Sequence, residues 1–366
     1  MSDNRTSAII FNGANKPLEE KSFPLIENPG KNEVLVEITL ATICGSDVHT
    51  WLGHRPFPTP CILGHEIVGK ITKLGENVKH DFSGDTLNIG DRIVWAMTVG
   101  CDDCFFCKNG IPQKCVNLFK YGHERSDTSP FLNGGLSKYI ILKKNTAIFK
   151  IPDNLTDEEV SPLMCAGACV LNGLDLANFS ECDYFIVQGC GALGIYACAF
   201  GKELGAKNII AIDKIQSRLD VAKEFGANYT ILYDDQTQIV EEIKKITKGK
   251  KADYVIEVTG DPTVIDLGIK SLRVGGKYIL LGALYPNSKF TIDSSEIIRN
   301  VIQLIGLHNY SPEYLGKSIE LVSNTNSKYP YHKIVGPIFD LSTSGVEKAF
   351  LSLDAKKSIR PGIKTS

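Results

Sequence analysis

The segment from Gly189 to Gly194 constrains the fold of this chain more than any other, because its glycines follow a G-x-G-x-x-G pattern at the junction of two elements. The apolar run at residues 184–188 predicts a buried strand before it, and Ala192–Leu204 predicts a helix after it. In this context the three glycines permit a tight turn, a close approach of the backbone to a pyrophosphate, and close packing of helix on strand. The segment therefore predicts a dinucleotide-binding turn, with the helix N-terminus directed at the phosphates.

The sequence after residue 183 alternates apolar strand-like runs with helix-like runs, as at residues 209–213, 217–225 and 229–233. Strands that are apolar on both faces indicate a parallel sheet covered by helices. Asp213 ends the strand that follows the glycine turn. An acidic side chain there accepts hydrogen bonds from the adenosine ribose and repels the 2′-phosphate of NADP. Residues 166–308 are therefore predicted to form a doubly wound α/β domain that binds NAD.

The segments on either side have a different pattern. Residues 1–165 contain short apolar runs, such as Val34–Leu40 and Tyr139–Leu142, separated by turn signals rich in glycine and proline. This pattern predicts a β-rich domain of irregular short strands. Residues 309–366 are mixed and are expected to complete that domain. The chain is thus predicted to contain a β-rich domain (1–165 with 309–366) interrupted by a nucleotide-binding domain (166–308).

The composition of the 366 residues argues against two classes of partner. The formal net charge is −2, without a long run of one sign, so no nucleic-acid partner is expected. The N-terminal stretch lacks the regions of a signal peptide, and the uncharged run at residues 184–201 is interrupted by glycines, so no membrane partner is expected. These features favour a cytoplasmic protein, in which the eleven cysteines are better explained as metal ligands than as disulfides.

Two sets of side chains have the chemistry of zinc ligands. The closely spaced set is Cys101, Cys104, Cys107 and Cys115. Four thiolates at this spacing can surround one tetrahedral zinc ion, and such a closed site is typically structural. The dispersed set is Cys44, His65 and Cys165. Two cysteines and a histidine can hold zinc and leave a fourth position open, although each of these residues taken alone is as easily an ordinary core residue.

The chain resembles the medium-chain zinc alcohol dehydrogenases at these motifs, and the resemblance runs almost from end to end. It rests on CGSDVH at residues 44–49, LGHEIVGKI at 63–71, the four-cysteine lobe, GCGALG at 189–194 and the acid on the next strand. The resemblance implies a GroES-like catalytic domain interrupted by a Rossmann domain. It also implies one catalytic and one structural zinc ion, NAD as the cofactor, a small alcohol or aldehyde as the substrate, and a homodimer or homotetramer. In such an assembly Val301–Leu307 extends the Rossmann sheet across an interface, or other parts of the chain cap the same strand.

Carried over position by position, the resemblance implies roles for individual residues. The catalytic zinc ligands are Cys44, His65 and Cys165, with Cys169 or a nearby glutamate as the alternative to Cys165. Glu66 is the carboxylate near the metal, Asp47 orients the ligand histidine, and Ser46 and His49 carry the alcohol proton toward solvent. The cofactor-binding residues are Gly189, Gly191, Ala192, Leu193, Gly194, Asp213, Arg218 and Arg360, the last at the pyrophosphate.

The substrate is narrowed by a second, finer resemblance. Residues 112–124 and the stretch before His65 are similar to a subgroup described as phosphonate-associated alcohol dehydrogenases. The pocket positions are Arg55, Trp95 and Met97, with Lys120, His123 and His308 as further contributors. A guanidinium in the pocket suits a bidentate anion, which favours 2-hydroxyethylphosphonate and phosphonoacetaldehyde as substrates. The alternative is that Arg55 and Lys120 are ordinary surface charges.

Three other readings remain open at this point. The first is the same chemistry on a polyol or on an amino alcohol such as threonine. The second is a zinc-free reductase, which the dispersed ligand set disfavours. The third is a zinc or nucleotide sensor without catalytic activity, which has no need of the predicted relay through Ser46 and His49.

Overall fold

The computed structural model describes residues 5–26, 28–234, 236–282 and 288–364. The chain divides into two compact units. The first contains the described residues up to Cys165, together with Ser311–Asn326 and the chain from Tyr331 onward. The second contains Ala166–Tyr310 and the short segment Ser327–Pro330. The first unit is therefore built from pieces that are distant in the sequence, and most of the second is one continuous insertion.

The strands of the described residues are, in chain order, β1 (Arg5–Ile10), β2 (Glu19–Pro24), β3 (Val34–Thr42), β4 (Glu66–Leu74), β5 (Arg92–Trp95), β6 (Thr98–Val99), β7 (Phe119–Lys120), β8 (Tyr139–Leu142), β9 (Ile148–Lys150), β10 (Cys182–Gln188), β11 (Ala206–Asp213), β12 (Tyr229–Leu232), β13 (Ala252–Glu257), β14 (Leu272–Leu280), β15 (Gln303–Gly306), β16 (Val335–Asp340) and β17 (Arg360–Lys364).

The α-helices are α1 (Gly45–Trp51), α2 (Phe105–Lys108), α3 (Asp157–Val160), α4 (Ala166–Leu176), α5 (Ala192–Glu203), α6 (Gln216–Glu224), α7 (Gln236–Ile246), α8 (Ile265–Ser271), α9 (Ser294–Asn300), α10 (Glu313–Thr325) and α11 (Thr343–Asp354). Short 3₁₀ turns occupy Pro112–Lys114, Ser161–Met164, Pro262–Val264 and Tyr331–Ile334.

The second unit is a parallel six-stranded sheet in the order β12-β11-β10-β13-β14-β15. This order places β10 at the centre, with the chain running outward first to one side and then to the other, as in a doubly wound nucleotide-binding fold. The central strands bury apolar side chains on both faces, including Ile186, Ile210 and Val255. Burial on both faces is the reason that these strands read as continuous apolar runs, and it confirms the predicted α/β class.

The first unit is built around a mostly antiparallel sheet in the order β16-β17-β3-β4-β5-β9, with β8 also paired to β3. Two small two-stranded sheets, β1-β2 and β6-β7, lie outside this sheet. A core that includes Ile43, Val48, Leu63 and Phe350 packs around helices α1 and α11. The C-terminal strand β17 pairs with β3, so the last residues of the chain reach the strand that precedes Cys44.

Two elements differ from what the sequence patterns predicted. The run expected as a strand at Val301–Leu307 is shorter, Gln303–Gly306, because Val301 ends α9 in the left-handed region with a φ of 52°. Helix α1, which holds Ser46, Asp47 and His49, was not predicted. Its seven residues are too short for a periodic signal, and only Asp47 at the third helical position marks its start.

In the described part of the chain, no helix combines the length and the apolar character that crossing a membrane requires.

Candidate functional site

Cys44 is positioned by the junction between β3 and α1. It precedes the first residue of the helix in an extended conformation, and its N–H donates to Asp47 Oδ2 at 2.9 Å. The helix is therefore capped by its own third residue, which fixes the direction of the Cys44 side chain. His65 lies immediately before β4, Glu66 begins that strand, and Cys165 follows the 3₁₀ turn Ser161–Met164.

The fold brings four candidate metal ligands together in the first unit. One donor atom from each of Cys44, His65, Glu66 and Cys165 lies within 4.8 Å of the others, and all but Cys165 are buried. Among the described residues Cys169 does not belong to this cluster. The three residues of the predicted ligand set are thus adjacent in space, although they are far apart in sequence.

Asp47 holds the ligand histidine and the residue before it in place. Its Oδ1 lies 3.2 Å from His65 Nδ1 and accepts from Gly64 N at 3.2 Å. Because a carboxylate accepts, Nδ1 of His65 carries the proton and Nε2 is left for a metal ion. Burial disfavours a charged His65, but Asp47 outweighs it and raises the pKa of the imidazole to about 10. The same carboxylate therefore stabilises positive charge on Nε2, whether from a proton or from a metal ion.

Glu66 is held by two groups on other strands. Thr42 Oγ1 donates to its Oε2 at 2.6 Å, and Arg360 Nε lies 3.0 Å from both carboxylate oxygens. Burial raises the pKa of Glu66 to about 7, against the opposing influence of Arg360. Arg360 is itself buried, and its Nη2 lies 3.5 Å from Cys44 Sγ. Arg360, predicted to contact the cofactor, is in this structure an ion-pair partner of Glu66.

The donor chemistry of this cluster fits a catalytic zinc ion. Two thiols and an imidazole are borderline-soft ligands that zinc prefers, and the carboxylate is already occupied by Thr42 and Arg360. Contact with Cys165 lowers the pKa of Cys44 well below its usual range, against the effect of burial. A thiolate is the form that binds zinc. Ser46 Oγ lies 3.4 Å from His65 Nε2, so its hydroxyl group is next to the ligand cluster.

The second predicted set also converges. The sulfur atoms of Cys101, Cys104, Cys107 and Cys115 lie within 4.8 Å of one another, and the four thiols are not joined by disulfides. Backbone N–H groups donate to these sulfurs: Cys101 N to Cys115 at 3.2 Å and Cys104 N to Cys101 at 3.3 Å. A hydrogen bond from the Cys107 backbone lowers the pKa of Cys104 to about 6. Burial, with Cys104 and Cys115, raises the pKa of Cys107 to about 12, as expected when neighbouring thiols cannot all ionise without a cation. Four thiols with donors aimed at sulfur fit a closed, structural zinc site.

The glycine turn of the second unit has the geometry that a dinucleotide needs. Gly189 has a φ of +97°, and a Cβ on Gly194 would lie 1.8 Å from the Gly189 carbonyl oxygen. Both positions therefore require glycine. A Cβ on Gly191 would meet nothing within 4 Å, so that residue leaves open space at the start of α5. This open space at a helix N-terminus, flanked by Ala192 and Leu193, is a cradle for a pyrophosphate.

Asp213 is tied to that turn. Its Oδ2 accepts from Cys190 N at 2.6 Å and its Oδ1 accepts from Ile215 N at 2.8 Å. The carboxylate is thus fixed at the end of β11 with further acceptor capacity on each oxygen. Arg218 Nε is buried without a hydrogen-bond partner among the described residues. The unpaired Nε donor of Arg218 and the fixed carboxylate of Asp213 suit the ribose and phosphate groups of a nucleotide.

The predicted substrate residues fall into two groups. Trp95 and Met97 are fully buried, at 0% and 1% exposure. Arg55 and Lys120 are half-buried, and the Arg55 guanidinium lies 5.1 Å from the Phe57 ring centroid. The ligand cluster influences the charge of Lys120. Burial and the charge of Arg55 lower the pKa of Lys120, whereas the charge of Cys165 raises it. His308 belongs to the second unit and is exposed.

His123 packs against the ligand histidine. Its ring lies edge-on to His65 with a centroid distance of 4.9 Å, and edge-on to Phe57 at 4.6 Å. Its Nδ1 donates to the Tyr121 carbonyl oxygen at 3.1 Å, while its Nε2 is buried without a partner among the described residues. Burial, assisted by Lys120 and His65, lowers the pKa of His123 well below its usual range. The residue is therefore neutral, with Nε2 as a hydrogen-bond acceptor.

Sequence reasoning missed two residues at this site. Thr42 binds Glu66, and its only signal was its position two residues before Cys44. His54 lies next to His49, with their Nδ1 atoms 3.2 Å apart. Its signal was the Leu52-Gly53 step after the helix, which is typical of a helix end that turns back on itself.

Comparison with known proteins agrees with this geometry. The profile of the alcohol dehydrogenase GroES-like domain matches residues 30–153, and that of the zinc-binding dehydrogenases matches residues 192–324. A zinc-type alcohol dehydrogenase B from Aspergillus flavus is 29% identical over 76% of this chain, which spans 64% of that protein's length. A sorbitol dehydrogenase from Halalkalibacterium halodurans is 30% identical over 81% of each chain.

Among solved structures, an alcohol dehydrogenase from Thermotoga maritima superimposes with a TM-score of 0.93 at 28% identity, covering 99% of this chain and 100% of that one. The two profiles cover both units, and the similarity to the sorbitol dehydrogenase extends across both. The chain therefore belongs to the zinc-dependent medium-chain alcohol dehydrogenases, enzymes that use zinc and a nicotinamide dinucleotide to act on small alcohols.

Proposed function

We propose that this enzyme transfers a hydride between NAD(H) and a small alcohol or aldehyde that carries an anionic group, such as 2-hydroxyethylphosphonate and phosphonoacetaldehyde. Two basic side chains within electrostatic range of the ligand cluster support the anionic part. Burial lowers the pKa of Lys120, whereas the charges of Cys165 and Cys44 raise it. The charge of Arg55 lowers the pKa of Lys120, His49 and His123. Two basic side chains near one open metal position suit a substrate with a negatively charged end.

The chain's own residues supply binding and proton handling. Cys44, His65 and Cys165 would hold the catalytic zinc ion, and Cys101, Cys104, Cys107 and Cys115 the structural one. When bound, the catalytic zinc acts as a Lewis acid toward the substrate oxygen, and the nicotinamide accepts or donates the hydride. Ser46, beside His65, would take the hydroxyl proton, which would then pass through the cofactor ribose to His49 and outward. Asp47 keeps His65 in the tautomer that exposes Nε2.

Glu66 has a separate part in this proposal. Its carboxylate is within reach of the ligand cluster but is paired with Arg360. If Arg360 turned to the cofactor pyrophosphate, the Glu66 carboxylate would be released and could join the residues that would hold the metal ion.

His123 would recognise a hydrogen-bond donor on the substrate. Because its ring is neutral and Nε2 is an acceptor, it cannot add positive charge to the site. The anion would therefore be bound by Arg55 and Lys120, and a hydroxyl or a protonated phosphonate oxygen by His123. The buried Trp95 and Met97 would form apolar wall rather than polar contacts.

NAD is the proposed cofactor over NADP. Asp213 is fixed at the end of β11 by Cys190 N and Ile215 N, where a 2′-phosphate would meet its negative charge. Lys214 and Arg218 follow Asp213 closely in sequence and oppose its negative charge, so the preference of the enzyme is best measured directly with both cofactors.

The enzyme is proposed to form a homodimer or a homotetramer through the edge of the second unit's sheet. Strand β15 is the last strand on one side of that sheet in the described part of the chain. Ile298, Val301 and Leu304 at this edge are 73%, 63% and 40% exposed. An exposed strand edge with aliphatic side chains is a surface that pairing with a second copy would cover.

A polyol or threonine as substrate is the second candidate. The sorbitol dehydrogenase that is 30% identical supports a polyol, and the acceptor on His123 suits a second hydroxyl group. A neutral polyol would make no use of the charges on Arg55 and Lys120. A sensor without activity is the remaining alternative, and turnover of any alcohol excludes it.

The deciding experiment counts zinc in the dialysed protein and follows NADH absorbance with phosphonoacetaldehyde, simple aldehydes, polyols and threonine, before and after a chelator. We expect two zinc ions per chain and chelator-sensitive turnover with the highest kcat/KM for the phosphonate. Arg55→Ala should raise KM for the phosphonate by about tenfold, the loss expected for one charge-assisted contact. Lys144→Ala, at an exposed lysine on a loop, is the matched control.

An unchanged KM in Arg55→Ala, or a preference for neutral polyols, would refute the anionic substrate and leave the hydride transfer standing. One zinc ion per chain with turnover that ignores the chelator would refute the catalytic zinc site.

A further inference from the structure

Helix α1 ends beside a second histidine that the family resemblance did not include. His49 lies in the last turn of this helix, and His54 follows three residues after its end. Their Nδ1 atoms are 3.2 Å apart, and their ring centroids are 5.6 Å apart at an angle of 40°. Because two nitrogens at this distance can share only one proton, one Nδ1 donates and the other accepts.

The backbone holds the two rings in this contact. Gly53 has a φ of +80°, which turns the chain back over the end of α1. His54 N then donates to the His49 carbonyl oxygen at 2.9 Å, and Arg55 N is 3.3 Å from the same oxygen. These backbone hydrogen bonds hold the Cα positions of His49 and His54 close together, so the fold keeps the two rings within reach of each other.

The surroundings differ between the two rings. His49 is half-buried and His54 is exposed. Burial lowers the pKa of His49, and His54 and Arg55 lower it further, while Cys44 and Asp354 of helix α11 raise it. A half-buried imidazole that is neutral near pH 7 can take a proton and release it again, and the exposed partner is in contact with water.

We propose that His54 is the outer member of a two-histidine proton relay, which receives the substrate proton from His49 and releases it to solvent. The proposal rests on the proposed function, in which Ser46 and His49 carry the hydroxyl proton. As a proton arrives on Nε2 of His49, the proton on its Nδ1 moves to Nδ1 of His54. The His54 imidazolium then loses its Nε2 proton to water or a buffer base, so one proton enters and one leaves. Both rings return to their starting tautomers by proton exchange with solvent before the next turnover.

The alternative is that His54 only buttresses the end of α1. A structural role would change stability, whereas a relay role changes the rate of proton release and its dependence on external bases. His54→Gln retains a polar side chain that can meet His49 but cannot carry a proton onward. The matched control is His332→Gln, at an exposed histidine that no part of the proposal uses.

The first test is stopped-flow alcohol oxidation in weak buffer with a pH indicator, which records proton release and NADH formation separately. We expect His54→Gln to slow proton release by about threefold to tenfold, less than the ~10²-fold or larger effect of a group that touches the reacting atoms. Added imidazole should restore the rate. The His332→Gln enzyme and the unmodified enzyme should show no such rescue.

The second test does not use turnover. Histidine ring signals followed by NMR through a pH titration should show His49 titrating at a higher pH in His54→Gln than in the unmodified enzyme, because His54 lowers the pKa of His49. An unchanged His49 titration, or an unchanged proton-release rate in His54→Gln while His49→Gln is slow, would overturn the relay and leave the dehydrogenase function intact. An enzyme that oxidises no alcohol would instead refute the proposed function, and the relay that rests on it.

Discussion

At the scale of single residues, Asp47 does more than orient one ligand. Its two carboxylate oxygens accept from Cys44 N, Gly64 N and His65 Nδ1, so it joins the segments that carry two of the three proposed ligands. A fully buried carboxylate with these three donors leaves little freedom to either ligand. The metal centre is therefore preorganised by a residue that need not touch the metal.

Asp47→Asn should weaken zinc retention at the catalytic site by about 10- to 100-fold. The amide has one acceptor oxygen in place of two, and without a negative charge it stabilises positive charge on His65 less well. The measurement is zinc content against chelator concentration, where one of two ions should be lost early. Asp220→Asn, on the exposed face of α6, serves as the control. Equal retention in Asp47→Asn and the control would contradict this role.

Lys120 gives the substrate proposal a pH dependence. Burial lowers its pKa, so the charged form is lost at a lower pH than for an ordinary lysine. Its positive charge is present below that lowered pKa and disappears as the pH rises through it. The KM for a phosphonate should therefore increase on the alkaline side by about tenfold, the value of one charge-assisted contact, while the KM for a neutral alcohol stays constant. Lys120→Arg should remove the alkaline increase, and parallel pH profiles for both substrates would contradict the assignment.

At the scale of elements, two glycines of the same sequence pattern are required for different reasons, one for packing and one for ligand binding. Gly194 is required by the packing of α5 on the turn, since its Cβ would overlap the Gly189 carbonyl oxygen. Gly191 has an ordinary φ of −73° and open space around it, so only a bound phosphate would need its missing side chain. One glycine serves the fold and the other serves the ligand.

We expect Gly194→Ala to destabilise the protein by about 1–3 kcal/mol or more through overpacking. Gly191→Ala should change stability by less than about 0.5 kcal/mol but weaken NADH binding at least tenfold. Thermal unfolding and NADH fluorescence titration measure the two effects independently. Tight NADH binding by Gly191→Ala would show that the pyrophosphate does not approach this residue.

At the scale of the whole molecule, the assembly prediction concerns the edge of the six-stranded sheet. Leu304→Lys places a charge on β15 and should shift the protein to monomer in sedimentation or light scattering. Ile338→Lys is the matched control, since Ile338 is also 40% exposed and lies on β16, at the edge of the other sheet. If the oligomer persisted in Leu304→Lys but dissociated in Ile338→Lys, the interface would lie on the first unit and not at β15.

The sequence by itself determined the fold class, the glycine turn and the four-cysteine lobe, because each depends on residues that are close in the chain. Apolar periodicity, a G-x-G-x-x-G pattern between strand and helix, and four thiols within fifteen residues all act locally. For the same reason α1 was not predicted and β15 was predicted too long, because both elements are too short to give a periodic signal.

The tertiary structure alone decided which groups surround the dispersed ligands. Arg360 reaches Glu66 across 294 residues of sequence because β17 pairs with β3, and Thr42 reaches the same carboxylate from the end of that strand. Only the packing of the loops in the first unit brings the His123 ring against His65 and lets the charge of Cys165 influence the pKa of Lys120. Burial and proximity set the charge states of these groups, and neither quantity exists until the chain is folded.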